Sequence, residues 1–170
     1  MTNDPLTRLL LGKIDEQVER AAHLTGLVPP DKIEWQPSPG ALRVCDLLGH
    51  LLECLAGFCA TLYAIQPDKL AHFTRLRENP VNHCCGVEEA LGRMREYLER
   101  IREGFQVLSD GDLSQLLPTV FVSEGEPVLT LLLGNLEHFI NHKYQLFFYL
   151  KLLGLPLGTT DLYRVRTFDV

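Results

Sequence analysis

Residues 133–151 read Leu-Gly-Asn-Leu-Glu-His-Phe-Ile-Asn-His-Lys-Tyr-Gln-Leu-Phe-Phe-Tyr-Leu-Lys, and this run decides both the fold class and where chemistry is to be sought. Leu136, Phe139, Leu146 and Leu150, with Leu132 just before them, recur at helical spacing and form a core-facing stripe. His138 and His142 are four residues apart, which stacks two imidazoles on one face of a helix, about 40° apart in projection. Imidazoles held this way can share a divalent metal, with nitrogens roughly 2.1 Å from it. Asn135, Gln145 and Leu146 lie beside them at the edge of the stripe, a position that suits a pocket between helices. The plainer reading of such a pair is two ordinary histidines, satisfied by hydrogen bonds or partly exposed.

A second apolar run, Cys45-Asp-Leu-Leu-Gly-His-Leu-Leu-Glu-Cys-Leu55, carries His50. Leu47, Leu48, Leu51, Leu55, Phe58 and Leu62 predict a helix from about Leu42 to Ala64 that is packed on two sides. An unpaired imidazole is costly to bury in such a helix. His50 therefore either bonds a carbonyl or joins His138 and His142, so that three neutral nitrogens converge and leave an open coordination position. Asp46, Glu53 and Cys54 stand four before, three after and four after His50, within reach of the same pocket. Glu137 projects about 100° from His138, and His-Phe-Ile-Asn-His lacks the glutamate of the zinc-protease motif. His23, His72 and His83 fall near helix ends and connections, where ordinary roles are expected.

Periodicity predicts two further long helices, one from Pro5 to about Leu24 and one over Val87–Leu108, the latter with Leu91, Met94, Leu98, Ile101 and Phe105 on one stripe. The run quoted first extends to a helix of about Glu126–Leu153, with Pro127 in its first turn and Gly154 as the residue that ends it. The connection from Pro67 to Gly86 holds a weak helical piece at Asp68–Arg77. It is long enough to carry the chain back along the bundle. Leu116–Ser123 reads as a brief extended segment, and Leu155–Val170 as a short helix or an ordered strap. Four amphipathic helices imply an all-α four-helix bundle, with residues 1–170 forming one domain. Gly49 and Gly134, inside predicted helices, are expected to permit close approach between helices.

The chain has 170 residues, a formal charge of −6 and pI ≈ 5.5. Its arginines Arg93, Arg95, Arg100 and Arg102 alternate with Glu96, Glu99 and Glu103, which leaves no basic stripe for a nucleic acid. Cys45, Cys54 and Cys59 lie in apolar helical sequence as small hydrophobes, Cys84-Cys85 is not a Cys-x-x-Cys pair, and no disulfide scaffold is expected. The first residues lack an export signal, and no run of 18 residues reads as apolar enough to span a membrane. A cytoplasmic location follows as an expectation.

Three pieces in order, Trp35-Gln-Pro, Val44-Cys-Asp-Leu-Leu-Gly-His50-Leu, and Glu137-His138-Phe-Ile-Asn-His142-Lys-Tyr-Gln145-Leu with the trailing Tyr149-Leu-Lys-Leu-Leu-Gly154, resemble the DinB/YfiT-like superfamily of metal-binding four-helix proteins. The resemblance implies an up-down-down-up bundle, commonly a homodimer, with His50, His138 and His142 as ligands of a divalent metal, nickel or zinc above all. It also implies, as in several members, a metal-dependent transferase that joins a low-molecular-weight thiol to an electrophile. Hydrolysis by metal-bound water, with Asp46, Glu53 or Glu137 as base, is one alternative. A non-enzymatic metal-binding stress-response module is another, its ligand a small molecule.

Overall fold

The computed structural model describes residues 4–120 and 122–164. Four long helices form it: α1 (Pro5–Gly26), α2 (Val44–Ile65), α3 (Val87–Val107) and α4 (Val128–Leu152). Pro5 opens α1, where its missing N–H would have had no intrahelical partner. At the other end of the bundle sequence, α4 stops at Gly154 with φ +89, as expected. There the amides of Gly154 and Leu155 return to the carbonyls of Lys151 and Leu150, a closure that needs a left-handed residue. A single helical turn, α5 (Thr159–Leu162), follows in the tail; of the expected strap, residues 165–170 lie outside the described residues.

α1 and α2 each pack chiefly on α3 and α4. α2 is the most apolar of the four, and Leu47, Leu48, Leu51, Leu55 and Phe58 are wholly buried. Burying a side chain such as Phe58 or Phe139 stabilises the fold by about 2–3 kcal/mol. A disulfide between Cys45 and Cys84 joins the start of α2 to the stretch just before α3. Near their other ends Leu62 lies against Gly104, where a Cβ would come within 2.7 Å of the leucine. Asp110, just past α3, accepts from the amides of Leu6 and Thr7 in the first turn of α1, at 3.2 and 2.8 Å.

The connection from α2 to α3 contains a 3-10 segment, Ala71–Glu78, in place of the weak α-helix expected over Asp68–Arg77. On α3 the buried stripe is Ala90, Met94, Tyr97, Leu98, Ile101 and Phe105, with Leu91 only half-buried, so the helix is turned further toward Tyr97 than its leucines alone indicate. Pro127 precedes α4 instead of lying in its first turn. It pairs, with Glu126 as β2 (Glu126–Pro127), against β1 (Leu116–Leu117), and Phe121 of the expected extended segment lies outside the described residues.

Two sequence expectations are corrected. Cys45 is buried in α2 but is not a free thiol: the α2–α3 connection folds back over the first turn of α2 and brings Cys84 to it, with Cα atoms 4.5 Å apart. By length and composition α2 is apolar enough to cross a membrane, contrary to the reading of the sequence; half of that stretch is buried inside the bundle.

Candidate metal centre

His50 leaves the second turn of α2, and His138 and His142 leave consecutive turns of α4. α2 and α4 pass each other so that Asn135 donates to the carbonyl of Cys54 at 2.9 Å, while His50, one turn away on α2, meets the histidine pair. Gly57 makes the Asn135 contact fit, since a Cβ there would come within 3.1 Å of the amide. The Nε2 of His50 is 3.2 Å from that of His138 and 3.0 Å from that of His142.

The opposite edges of two rings are engaged. His50 Nδ1 lies 2.8 Å from Asn82 Oδ1 and 3.0 Å from Glu53 Oε2, and His142 Nδ1 lies 2.9 Å from Gln145 Oε1. Oxygen acceptors at Nδ1 hold the proton there, which leaves Nε2 as a lone pair. His50 and His142 thus point two lone pairs at each other across 3.0 Å, an arrangement that is repulsive unless a cation lies between them. Ligands at about 2.1 Å on adjacent positions of one metal stand about 3.0 Å apart at right angles and about 3.4 Å apart at tetrahedral angles. Both separations lie in that interval, so the residues fit a bound divalent ion. Burial holds the His142 imidazole below its ordinary pKa, toward the neutral form a metal requires.

The partners of these histidines are themselves positioned. Gln145 Nε2 donates to Tyr149 at 2.9 Å, and Tyr149 meets the edge of Trp35 at a ring separation of 5.5 Å. Trp35 thus packs over the end of α4 at this side of the bundle. Asn82 comes from the α2–α3 connection. Its backbone is left-handed, φ +54, a region asparagine tolerates better than most residues. Its amide donates to Gly49 O at 3.2 Å. Gly49 admits the connection because a Cβ there would lie 1.9 Å from the carbonyl oxygen of His83. The close approach expected of Gly49 is therefore to this connection and not to a helix, whereas Gly134 has open space around it.

Of the other candidates, Glu53 reaches the site only through His50 Nδ1. Asp46 is held by Arg43 through two hydrogen bonds of 2.7 and 3.0 Å. Burial pushes the Cys54 thiol up to about 12, which makes it a packing residue. Tyr144 is half exposed and Glu137 is exposed. His23, His72 and His83 pair with Asp161, Glu103 and Glu89. Sequence reading placed Gln145 beside the histidine pair but missed Asn82, whose only local signal is an asparagine shortly after Pro80.

No family model and no curated protein sequence matches the chain. Among solved structures, a DinB-like protein of Bacillus subtilis, YjoA, aligns with it at a TM-score of 0.70 over 92% of this chain and 99% of that one, with 15% sequence identity. Likeness at that identity speaks for architecture alone. The alignment over 92% of the chain identifies its fold as DinB-like.

Proposed function

We propose that the protein binds one divalent cation, nickel or zinc, through His50, His138 and His142, and uses it to join a low-molecular-weight thiol to an electrophile. The observation that carries the metal reading is the meeting of Nε2 atoms whose Nδ1 partners leave lone pairs facing one another. When bound there, the ion supplies positive charge that favours an ionised thiol over a neutral one. The chain's part is to hold the three rings in register: Asn82 and Glu53 fix His50, and Gln145 fixes His142.

Transfer is favoured over hydrolysis by what surrounds the site. Asp46 is committed to Arg43 and Glu53 to His50, so neither carboxylate is placed as a base for water. Cys54, one turn along α2 from His50, remains a neutral thiol and does not supply the sulfur nucleophile. A cleft of about 250 Å³ begins at Glu53, one turn along α2 from His50, and passes Gly57 and Tyr63 to Arg77. Its size suits a small substrate body. Tight metal binding without turnover would return the reading to a non-enzymatic module.

Two finer points belong to the same reading. An up-down-down-up course fits the contacts that pair the starts and the ends of α2 and α3. A homodimer would cover Tyr144, Phe148 and Leu152, three half-exposed apolar residues at four-residue spacing on α4. Light scattering of the purified chain tests it.

The test of the metal reading is elemental analysis of tag-free protein prepared without chelator. Folded His50→Ala and His142→Ala variants should each hold one equivalent less per protomer than the parent. Unchanged content would reject these ligands. Mass analysis of products from thiol and electrophile panels tests the reaction: a thiol adduct supports it, and a water-derived product independent of thiol refutes it.

A further inference from the structure

We propose that His83, Cys85 and Glu89 form a second metal site, built for a borderline divalent cation such as zinc and separate from the three histidines. Cys85 stands two residues after His83 and four before Glu89, at the entry to α3. The turn into the helix brings one ligand atom from each within 4.8 Å of the others. His83 Nε2 lies 2.9 Å from Glu89 Oε1. Its Nδ1 is buried and has no hydrogen-bond partner among the described residues. That nitrogen faces away from Glu89, so Nε2 is the ring atom placed to share a cation with the carboxylate, and 2.9 Å is close to the spacing of adjacent ligands on one ion. The Cys85 thiol is buried too, and the structure records no disulfide for it.

The donor set matches zinc in both chemistry and charge. Imidazole, thiolate and carboxylate are each common ligands of that ion, and one cysteine plus one glutamate neutralise its two charges. Arg93 stands 3.5 Å from the same Glu89 Oε1 and adds positive charge beside it. A cleft of about 580 Å³, lined by Ile33, Gly86 and Val87 among others, reaches the cluster at Glu89. Three protein ligands with such access leave a fourth position for water or a small ligand. Sulfur distinguishes this site from the nitrogen-only triad, so the two readings stand or fall separately.

Cobalt(II) reads out the difference. Metal-free protein with the Cys45–Cys84 disulfide intact is titrated with cobalt alone while near-ultraviolet thiolate-to-cobalt charge-transfer absorption and bound equivalents are followed. The absorption should saturate at one equivalent per protomer in the parent protein and persist in a His138→Ala/His142→Ala variant. It should vanish in Cys85→Ser, and Glu89→Gln should weaken that equivalent more than about tenfold. Parent protein without the absorption, or absorption that survives Cys85→Ser, overturns the site. Should Cys85→Ser not fold, the parent spectrum and Glu89→Gln, at an exposed position, decide: unaltered affinity in Glu89→Gln overturns it.

Discussion

Replacing Gly49 by alanine sets two principles against each other and gives a result whose sign is decisive. In an exposed helix the change should stabilise by about 1 kcal/mol, because alanine loses less backbone freedom than glycine. Here the new Cβ would lie 1.9 Å from the His83 carbonyl oxygen, 2.8 Å from its nitrogen and 2.9 Å from its carbon, whereas ordinary contact begins at 3.4 Å. The carbonyl must retreat by about 1.5 Å, the difference between those distances. All three atoms are backbone, so no side chain can rotate aside. Overpacking of this kind costs about 1–3 kcal/mol, and losing the bond from the Asn82 amide to Gly49 O adds about 1. The net expectation is a loss of about 1–3 kcal/mol.

The same shift pulls Asn82 from His50 Nδ1, so zinc affinity at the triad should fall about 10- to 100-fold. Urea unfolding of metal-free protein and zinc competition titration measure the two effects. Gly134→Ala is the control: nothing lies within 4 Å of where its Cβ would stand, and it should gain about 1 kcal/mol. If Gly49→Ala is as stable as Gly134→Ala and binds zinc like the parent, the connection does not lie where the structure places it and the reasoning fails.

Asn82→Gly keeps a backbone suited to φ +54 but removes the side chain; zinc affinity should drop about 10-fold or more with little loss of stability, and calorimetric titration checks both. Cys84→Ser opens a crosslink between residues 39 apart in sequence, which the chain-entropy relation values at about 4 kcal/mol, so the urea midpoint should fall well below that of the parent. Burial pushes the thiols of Cys54 and Cys59 from 9.0 up to about 12, so above pH 9 the folded chain binds more protons than the unfolded one. Stability should therefore decline by about 1.4 kcal/mol per pH unit for each thiol between roughly pH 9 and 12. Unfolding curves of parent and Cys59→Ala at pH 8 and 10 test this, and a variant slope no shallower than the parent's would contradict it.

The helices were legible because their apolar spacing is strong, and the observed boundaries differ from the expected ones by about two residues, within the scatter usual for helix ends. The meeting of His50 with His138 and His142 was legible for the same reason: each histidine sits beside a core stripe, and core stripes face one another. What the sequence hid lies in the α2–α3 connection. Its placement depends on a missing side chain at Gly49, a left-handed Asn82 and a sulfur pair 39 residues apart, and none of these leaves a periodic pattern. Lys143 was equally hidden. Neighbour to His142 on α4, it is buried with its ammonium on Gln17 and the carbonyl of Leu162, which anchors the tail turn α5.

Trp35 is the sole tryptophan of the chain. Its indole rests against Tyr149, whose hydroxyl holds Gln145, which in turn holds His142. The chain thus carries its own optical reporter three contacts from the histidine cluster. Fluorescence from this one ring can follow, without any label, whether that end of the bundle is filled, emptied or loosened.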